Sequence, residues 1–549
     1  MKKHFLYAAL LLLGLLVIYS SVVFDSRQLL LDDPSVVAPM QNVHSFSEYQ
    51  KLVDENIIYD VQPIRDFSLW LNSNHAGNLL LWFVTALLFF ACLSSLQVSQ
   101  PWCYFLGILF AFNPLFVSTV AWLSARKHLL SLMFTALLTW ILIREVRKKD
   151  FSPSWMVSLS IVFLFLLAGF SQPINILWPF FAMIYVVSFH GAKTLKKTSV
   201  IVPALALGLS GLWIAILNFR YYEKSYALLS LSGKYVSDDY NSWYWRACAW
   251  GRMFFQIIFP IETGAADHNP LSWISQFGLI LIVVCVALLW KLKIRSTLIW
   301  MLAALIAVLP VTLRMTQIFA TDNYVIFAAF CVFIVFGLVL KHFDGKMSKG
   351  IRICLQVLFT VLVVVFGTRS YVLAMAWNND FSLWEMSYQV EPTKKSAIEY
   401  AQVLLAQSQL QKGFEIAMES KKYPGMTKNY NAVMAKAIYV NPLVSTDEKT
   451  RLLKEDENEW SLYYLASMNA AEGKFSNACL IMADINKYVQ NFREFDDVVE
   501  SMAAEALFFC KDNSAIGGKI VESFKAIRRN GKWNQALFEK RAKELGVLK

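Results

Sequence analysis

Residues 120–134 read VAWLSARKHLLSLMF, and they set Arg126, Lys127 and His128 between two apolar runs. The runs on either side, 101–123 and 128–143, are of the kind that crosses the roughly 30 Å of hydrocarbon in a bilayer as helices. Two such runs joined by a short cationic connection decide the fold class, a bundle of membrane helices. Ionisable groups are costly in that setting, so their presence marks a functional site by default.

Working outward, the pattern recurs. Of 549 residues, 57% are hydrophobic and only 17% charged, with a mean hydropathy of +0.45, unlike a soluble globular chain. Eleven apolar segments are read near residues 4–24, 76–98, 101–123, 128–143, 154–170, 173–189, 199–218, 272–291, 297–313, 323–341 and 351–370. Met1 to Tyr19 has the basic start and apolar run of a signal peptide. No convincing small-residue cleavage site precedes Asp25, so it reads as a retained first span. Beyond Trp377 the apolar positions follow helical intervals among many charges, which predicts a soluble α-helical part. The expected domains are 1–376 and 377–549.

Orientation follows from the basic loops. Lys2 and Lys3, REVRKK from Arg144, KTLKK from Lys193, KLKIR from Lys291 and KHFDGKMSKGIR from Lys341 all fall on one side of an eleven-span chain. The N-terminus is then cytoplasmic, and the C-terminal part is exported with the loops 25–75, 124–127, 219–271 and 314–322. The cytoplasmic loops carry much of the net charge of +11, so nucleic-acid binding is discounted. Arg126 and Lys127 lie on the far side, against the trend. Six of the eight cysteines sit in or beside apolar spans and read as small core residues. Cys479 and Cys510 fall in the exported part, where an oxidising compartment permits a disulfide, although sequence does not show that they meet.

The first external loop begins FDSRQLLLDDPSVV, residues 24–37. Asp25 stands at the outer boundary, where a general base facing a lipid-borne substrate is required. Asp32 and Asp33 follow, and these two can equally do no more than solvate a loop. The second half of the aromatic loop 219–271 is amphipathic and is expected to lie on the membrane or re-enter it; Asp267 and His268 after it read as solvated. In the C-terminal part, WSLYYLASMNAAEGKFSNACLIMADINKY (460–488) spaces Ala466, Gly473 and Ala478 as tetratricopeptide repeats space their small residues. LLAQSQLQKGFEIA (404–417) repeats this less well with Ala406 and Gly413. Three to five stacked helical hairpins are expected, with a concave face able to hold an extended partner.

Seven motifs occur in order: FDS…DDPSVV, QPIRDFSLWL (62–71), HAGNLLLW (75–82), NPLFVSTVAWLSARKHLLS (113–131), SQPINILWPF (171–180), ATDNYV (320–325) and WNNDFSLWEMSYQVEP (377–392). Over nearly the whole chain this succession resembles the tetratricopeptide-and-transmembrane O-mannosyltransferase family and its bacterial relatives. The resemblance implies an all-α architecture: a polytopic C-type glycosyltransferase-like helical bundle followed by an exported tetratricopeptide-like α-solenoid. It implies a sugar taken from a polyprenyl-phosphate donor at the outer leaflet, an acidic residue of the first external loop as base, and repeats that handle a protein or glycan acceptor. Asp25 matches the first acid of the family's paired-acid motif, and Ser26 replaces the second. Arg126 matches the arginine placed to hold the donor phosphate, and Lys127 beside it adds a second cation; the competing account is snorkelling to the headgroups. Asp32, Asp33, Arg65, His75, Gln172, Asp322 and Tyr324 are the further candidates for substrate binding.

The chain also departs from the family pattern. The family usually has His at the positions of Asn113 and Phe116, acids at Ser118 and His128, Lys at Gln172 and often Arg at Asn323. The altered acids and histidines make a divalent metal doubtful, since such a site needs several convergent ligands, and no cofactor is assigned. The expected reaction is a single displacement at the anomeric carbon with inversion. The chain has no Asn-x-Ser/Thr acceptor sequence and begins MKKH, which leans to a bacterial inner membrane with a periplasmic C-terminal domain. Two other classes stay open: a polysaccharide polymerase or O-oligosaccharide ligase using Arg246, Arg252 and His268, and a catalytically degenerate membrane-tethered scaffold, suggested by Ser26, Ser118 and His128.

Overall fold

The computed structural model describes residues 2–25, 30–31, 33–56, 62–230, 243–260, 273–314, 324–423, 429–485, 487–488, 498–527 and 533–548. Among the described residues the regular structure is helical, with no strand. Two compact units emerge: Met1–Leu229 with Val236–Glu391, and Ser230–Tyr235 with Pro392–Lys549. The division falls after Glu391, later than the end of the apolar runs suggested. The helix Asp380–Val390 packs back on the long helix Lys349–Ala376, and the Ser382 hydroxyl donates to the Ala376 carbonyl at 2.9 Å.

Among the described residues of the first unit seven helices are long and apolar enough to cross a membrane: His75–Ser95, Leu123–Val146, Pro173–His190, Thr198–Asn218, Trp273–Lys291, Ile326–Asp344 and Lys349–Ala376. The run expected over 101–123 is broken into Gln100–Ala111 and Pro114–Ala121, which meet at 44°. Pro114 has no N–H to continue the helical ladder, and the Asn113 side chain accepts the Leu115 N–H at 2.9 Å. Three further expected runs form shorter apolar helices, Lys3–Ile18, Trp155–Ser171 and Ser296–Val308.

Aromatic rings fill the interior. Trp82, Phe89, Phe110 and Phe116 are buried in mutual contact, and the edges of Phe330 and Phe333 meet Phe89. The Trp82 indole finds its partner in the Ala111 carbonyl at 3.0 Å, as a buried N–H must. Leu205, Leu209, Val283 and Val364 are instead each at least 60% exposed, the outward apolar surface that lipid contact requires.

For the second half of the stretch 219–271 burial counts against a helix lying on the surface and leaves the re-entrant alternative in place: in the helix Trp243–Ile258, Cys248, Ala249 and Gly251–Ile257 are buried. It crosses Trp273–Lys291 backbone to backbone, since a Cβ on Gly278 would stand 1.9 Å from the Gly251 carbonyl oxygen. Arg252 on this helix is fully buried and pairs with Glu391 at 2.7 Å. Asp267 and His268 lie outside the described residues.

In the second unit helices pack against their successors: Lys394–Ala406 on Leu410–Glu419, Tyr430–Val440 on Thr446–Glu455, Glu459–Ala471 on Phe475–Ile485, and Val499–Phe509 on Ser514–Ile527. Ala466 and Ala478 are fully buried and Gly473 takes the left-handed turn between their helices. The first pair uses a different register from the one expected: Ala406 is exposed. The matching positions are Ala401, buried, Ser408, left-handed with φ 61°, and Gly413, whose added Cβ would meet Leu405 at 2.8 Å. Gly413 therefore corresponds to Ala478, not to Gly473. Cys479 and Cys510 do meet, as a disulfide.

Candidate functional site

Between the first two apolar helices the described residues form three helices, Asp33–Gln41, Phe46–Asn56 and Pro63–Leu71. Val37, Met40, Tyr49 and Leu69 form a small core of their own with Leu123, and the rings of Tyr49 and Trp70 stack at 5.3 Å. Burial first, and the Asp66 charge second, push the Tyr49 hydroxyl up to about 12. Pro63–Leu71 also packs on the helices Arg126–Val146 and Trp155–Ser171, so the loop lids one end of the bundle. Asp33 latches it there. One Asp33 carboxylate oxygen accepts the Ser124 amide at 2.8 Å and the Ser124 hydroxyl at 2.6 Å.

Arg126 is only 2% exposed. Its Nε donates to Asn78 Oδ1 at 2.6 Å, one terminal nitrogen to the carbonyls of Ser68 and Asn72, and the other to the Asn74 carbonyl at 2.7 Å. Four of the five guanidinium N–H groups are thus spent on the segment that ends Pro63–Leu71 and opens His75–Ser95. Asn78 passes the restraint on, donating to the carbonyls of Val120 and Trp122 at 3.1 and 3.0 Å. The fork expected to hold two phosphate oxygens is engaged by protein, with one N–H left over.

A separate polar cluster gathers residues from four parts of the chain. Gln62 donates to Gln172 Oε1 at 2.8 Å and accepts from Arg65 at 2.9 Å, while Arg65 pairs with Asp66 at 2.7 Å. All four side chains are buried. His128 is 1% exposed, lies within electrostatic reach of Lys127 and Arg65, and meets the Tyr324 ring edge-on at 5.2 Å. Its Nδ1 has no hydrogen-bond partner among the described residues. Below it Ser131 donates to the Gln172 carbonyl, and Asn175 donates to Ser131 and Thr135. The result is a buried polar cluster at the lidded end of the bundle, in which Arg65 is paired with Asp66 and the half-buried Lys127 stands next to His128 in the chain.

The structure therefore brings Arg65, Lys127, Gln172 and Tyr324 together and sets Arg126 and Asp33 apart as fasteners. Asp25 ends a π-helical turn, Ser21–Asp25, packed against His75–Ser95 and Lys349–Ala376; its side chain, Asp32 and Asp322 lie outside the described residues. His75 opens its helix. Gln62, Asp66 and Ser124 escaped the sequence reading. Gln62 and Asp66 flank Arg65 on one helical turn begun by Pro63, a signal available in QPIRD; the partnership of Asn78 with Arg126 has no local signature. No group of three or more His, Cys, Asp or Glu side chains converges among the described residues.

No known protein family, curated protein or solved structure matches the chain.

Proposed function

We propose that this protein is a membrane glycosyltransferase that moves a sugar from a polyprenyl-phosphate-linked donor to a protein or envelope acceptor on the extracytoplasmic side. The observation that carries the reading is the convergence of Arg65, Lys127, His128, Gln172 and Tyr324 beneath a folded external loop. A cation at the edge of the bilayer suits a lipid phosphate, because a charge buried in low dielectric interacts strongly. In this account Lys127 holds the phosphate, Arg65, already paired with Asp66 and Gln62, fixes the cluster, Arg126 holds the lid, and Asp25 deprotonates or orients an acceptor hydroxyl. Attack at the anomeric carbon displaces the lipid phosphate with inversion.

The same proposal takes all eleven apolar segments as crossings, in a bacterial inner membrane, with the N-terminus cytoplasmic and the second unit a tetratricopeptide-like solenoid in the periplasm. The Cys479–Cys510 disulfide supports that side, because such bonds persist in oxidising compartments. Of Arg246, Arg252 and His268, on which the polymerase or ligase alternative rests, Arg252 is paired with Glu391.

The test compares envelope glycans and glycoproteins of wild type and a deletion strain, with transfer from a polyprenyl-phosphate sugar measured on the purified chain. Loss of one glycosylated species, restored by the intact gene but not by Asp25→Asn, is the expected result. An unchanged profile together with no transfer would overturn the reading in favour of a scaffold.

A further inference from the structure

The helices Trp155–Ser171 and Thr198–Asn218 meet closely toward their C-terminal ends. A Cβ on Gly169 would stand 2.4 Å from Ile214, and the rings of Phe170 and Trp213 are 5.2 Å apart. Toward their N-terminal ends a space of about 570 Å³, open to the outside, lies between them. Ile161 lines it from the first helix, and Pro203 and Ala204 from the second. Pro203 stands inside its helix, where it removes a bond of the ladder. The lining also takes in Trp178 and Ala182 and, from the helix Arg126–Val146, Leu142, all three buried. The gap therefore reaches behind the outermost helix, and its wall is apolar apart from Ser158 and Ser199.

Phe151 and Leu195 line the same space from the two connections at that end of the helices. The Phe151 ring stacks on His190 at 5.4 Å, and its carbonyl accepts from Lys197 at 3.4 Å. One Lys197 ammonium is thus held against a residue of the wall, and Lys196 follows Leu195 directly. Lys193, Lys196 and Lys197 are exposed. Residues 144–150 and 193–197 together carry seven cations against two acids, and one of those acids, Glu145, is paired with Lys148.

An apolar gap that opens among cations fits an amphiphile, with a hydrocarbon chain inside and a negative headgroup at the mouth. A free phosphate would leave the gap unfilled, and a zwitterionic lipid would bring no net charge to the lysines. The space is of the size of a small-molecule site, about 300–1,000 Å³, which admits a single acyl chain; an undecaprenyl tail would leave most of its length outside. Basic recesses between membrane helices recognise anionic headgroups in this way.

We propose that the gap between Trp155–Ser171 and Thr198–Asn218 binds one acyl chain of an anionic phospholipid, whose phosphate is held by Lys196 and Lys197. The site lies toward the opposite end of the helix Arg126–Val146 from Lys127, on the side that the basic loops assign to the cytoplasm, and it does not depend on sugar transfer.

The full-length chain is released from detergent in a native mass spectrometer after titration with phosphatidylglycerol, or with phosphatidylcholine of the same acyl chains. Phosphatidylglycerol should be retained in preference. Lys196→Gln with Lys197→Gln should weaken its retention roughly fivefold for each lysine, the worth of one cation near a lipid headgroup. These lysines also help to set orientation, so a second variant leaves every charge in place: Ala204→Phe fills the gap and should cost about tenfold or more, the equivalent of two buried methylenes. Equal retention of the two lipids, or a double-lysine variant that binds like wild type, would overturn the site. Ala204→Phe binding like wild type would put the lipid on the outer surface and overturn it as well. Undecaprenyl phosphate retained more strongly than phosphatidylglycerol, and lost in Ala204→Phe, would give the gap to a prenyl lipid and reject the phospholipid.

Discussion

Asp33 and Ser124 are joined twice through one carboxylate oxygen, by amide and by hydroxyl. This is the fastening that holds the segment after the first apolar helix on the turn preceding Arg126. Asp33→Ala removes both bonds and strands a buried amide, which costs about 1–3 kcal/mol for the unsatisfied donor alone. Ser124→Ala keeps the backbone bond and should cost about 1 kcal/mol. Thermal unfolding in detergent should therefore rank Asp33→Ala below Ser124→Ala; equal losses would place the whole restraint in the hydroxyl.

Arg126→Lys separates fastening from phosphate binding. A lysine ammonium is a point donor and cannot reach Asn78 and the carbonyls of Ser68, Asn72 and Asn74 together. Several buried acceptors lose their partner, so destabilisation of about 3 kcal/mol or more is expected even without any donor lipid. Unfolding measured on the unliganded protein decides it. A variant as stable as wild type but poor in donor binding would restore the phosphate role.

Lys127→Gln makes the opposite forecast. Lys127 is half-buried beside His128, and its charge is assigned to the lipid phosphate. Affinity for a polyprenyl phosphate should fall about tenfold to hundredfold, the scale of one charge-assisted bond, in protein that still folds. Equilibrium binding in nanodiscs reads this directly.

Replacing Cys479 and Cys510 by alanine should lower the stability of the second unit by about 2–5 kcal/mol, as removal of a native disulfide does. Denaturant unfolding with and without reductant checks the value. Maleimide labelling mapped to Cys479 and Cys510 themselves, in protein taken from native membranes, would contradict both the bond and the exported side.

A reporter fused after Lys549 should be active only when exported, and one fused after Lys149 only in the cytoplasm. The reverse at either site would break the eleven-crossing count.

Composition and apolar run length were enough to locate every apolar helix of the first unit, because length and hydropathy alone govern that signal. The break at Asn113–Pro114 was written in the sequence as a capping residue followed by proline, yet hydropathy passes smoothly over it. The role of Arg126 was not legible. Charge in an apolar setting announced a special residue, but whether its five donors face a ligand or the carbonyls of Ser68, Asn72 and Asn74 depends on how residues far apart in sequence are brought together. The repeat register failed for a related reason. Small residues seven apart recur in both LLAQSQLQKG and LASMNAAEG, and only the turn conformation, Ser408 in one and Gly473 in the other, fixes which positions correspond.

The contact between Gly251 and Gly278 bears on how the chain is assembled. A helix of 16 residues that carries Arg246 and Arg252 is too short and too polar to enter a bilayer unaided; each arginine at mid-depth costs about 2.5–3.5 kcal/mol on the insertion scale. Its neighbour Trp273–Lys291 has the apolarity to insert. With no side chain between the two backbones, the pair can close early into a preformed hairpin, and the longer helix then carries the shorter one to its seat. A β-carbon at either glycine would thus act during biogenesis, before any question of activity arises, and would be seen as lost yield of the inserted protein.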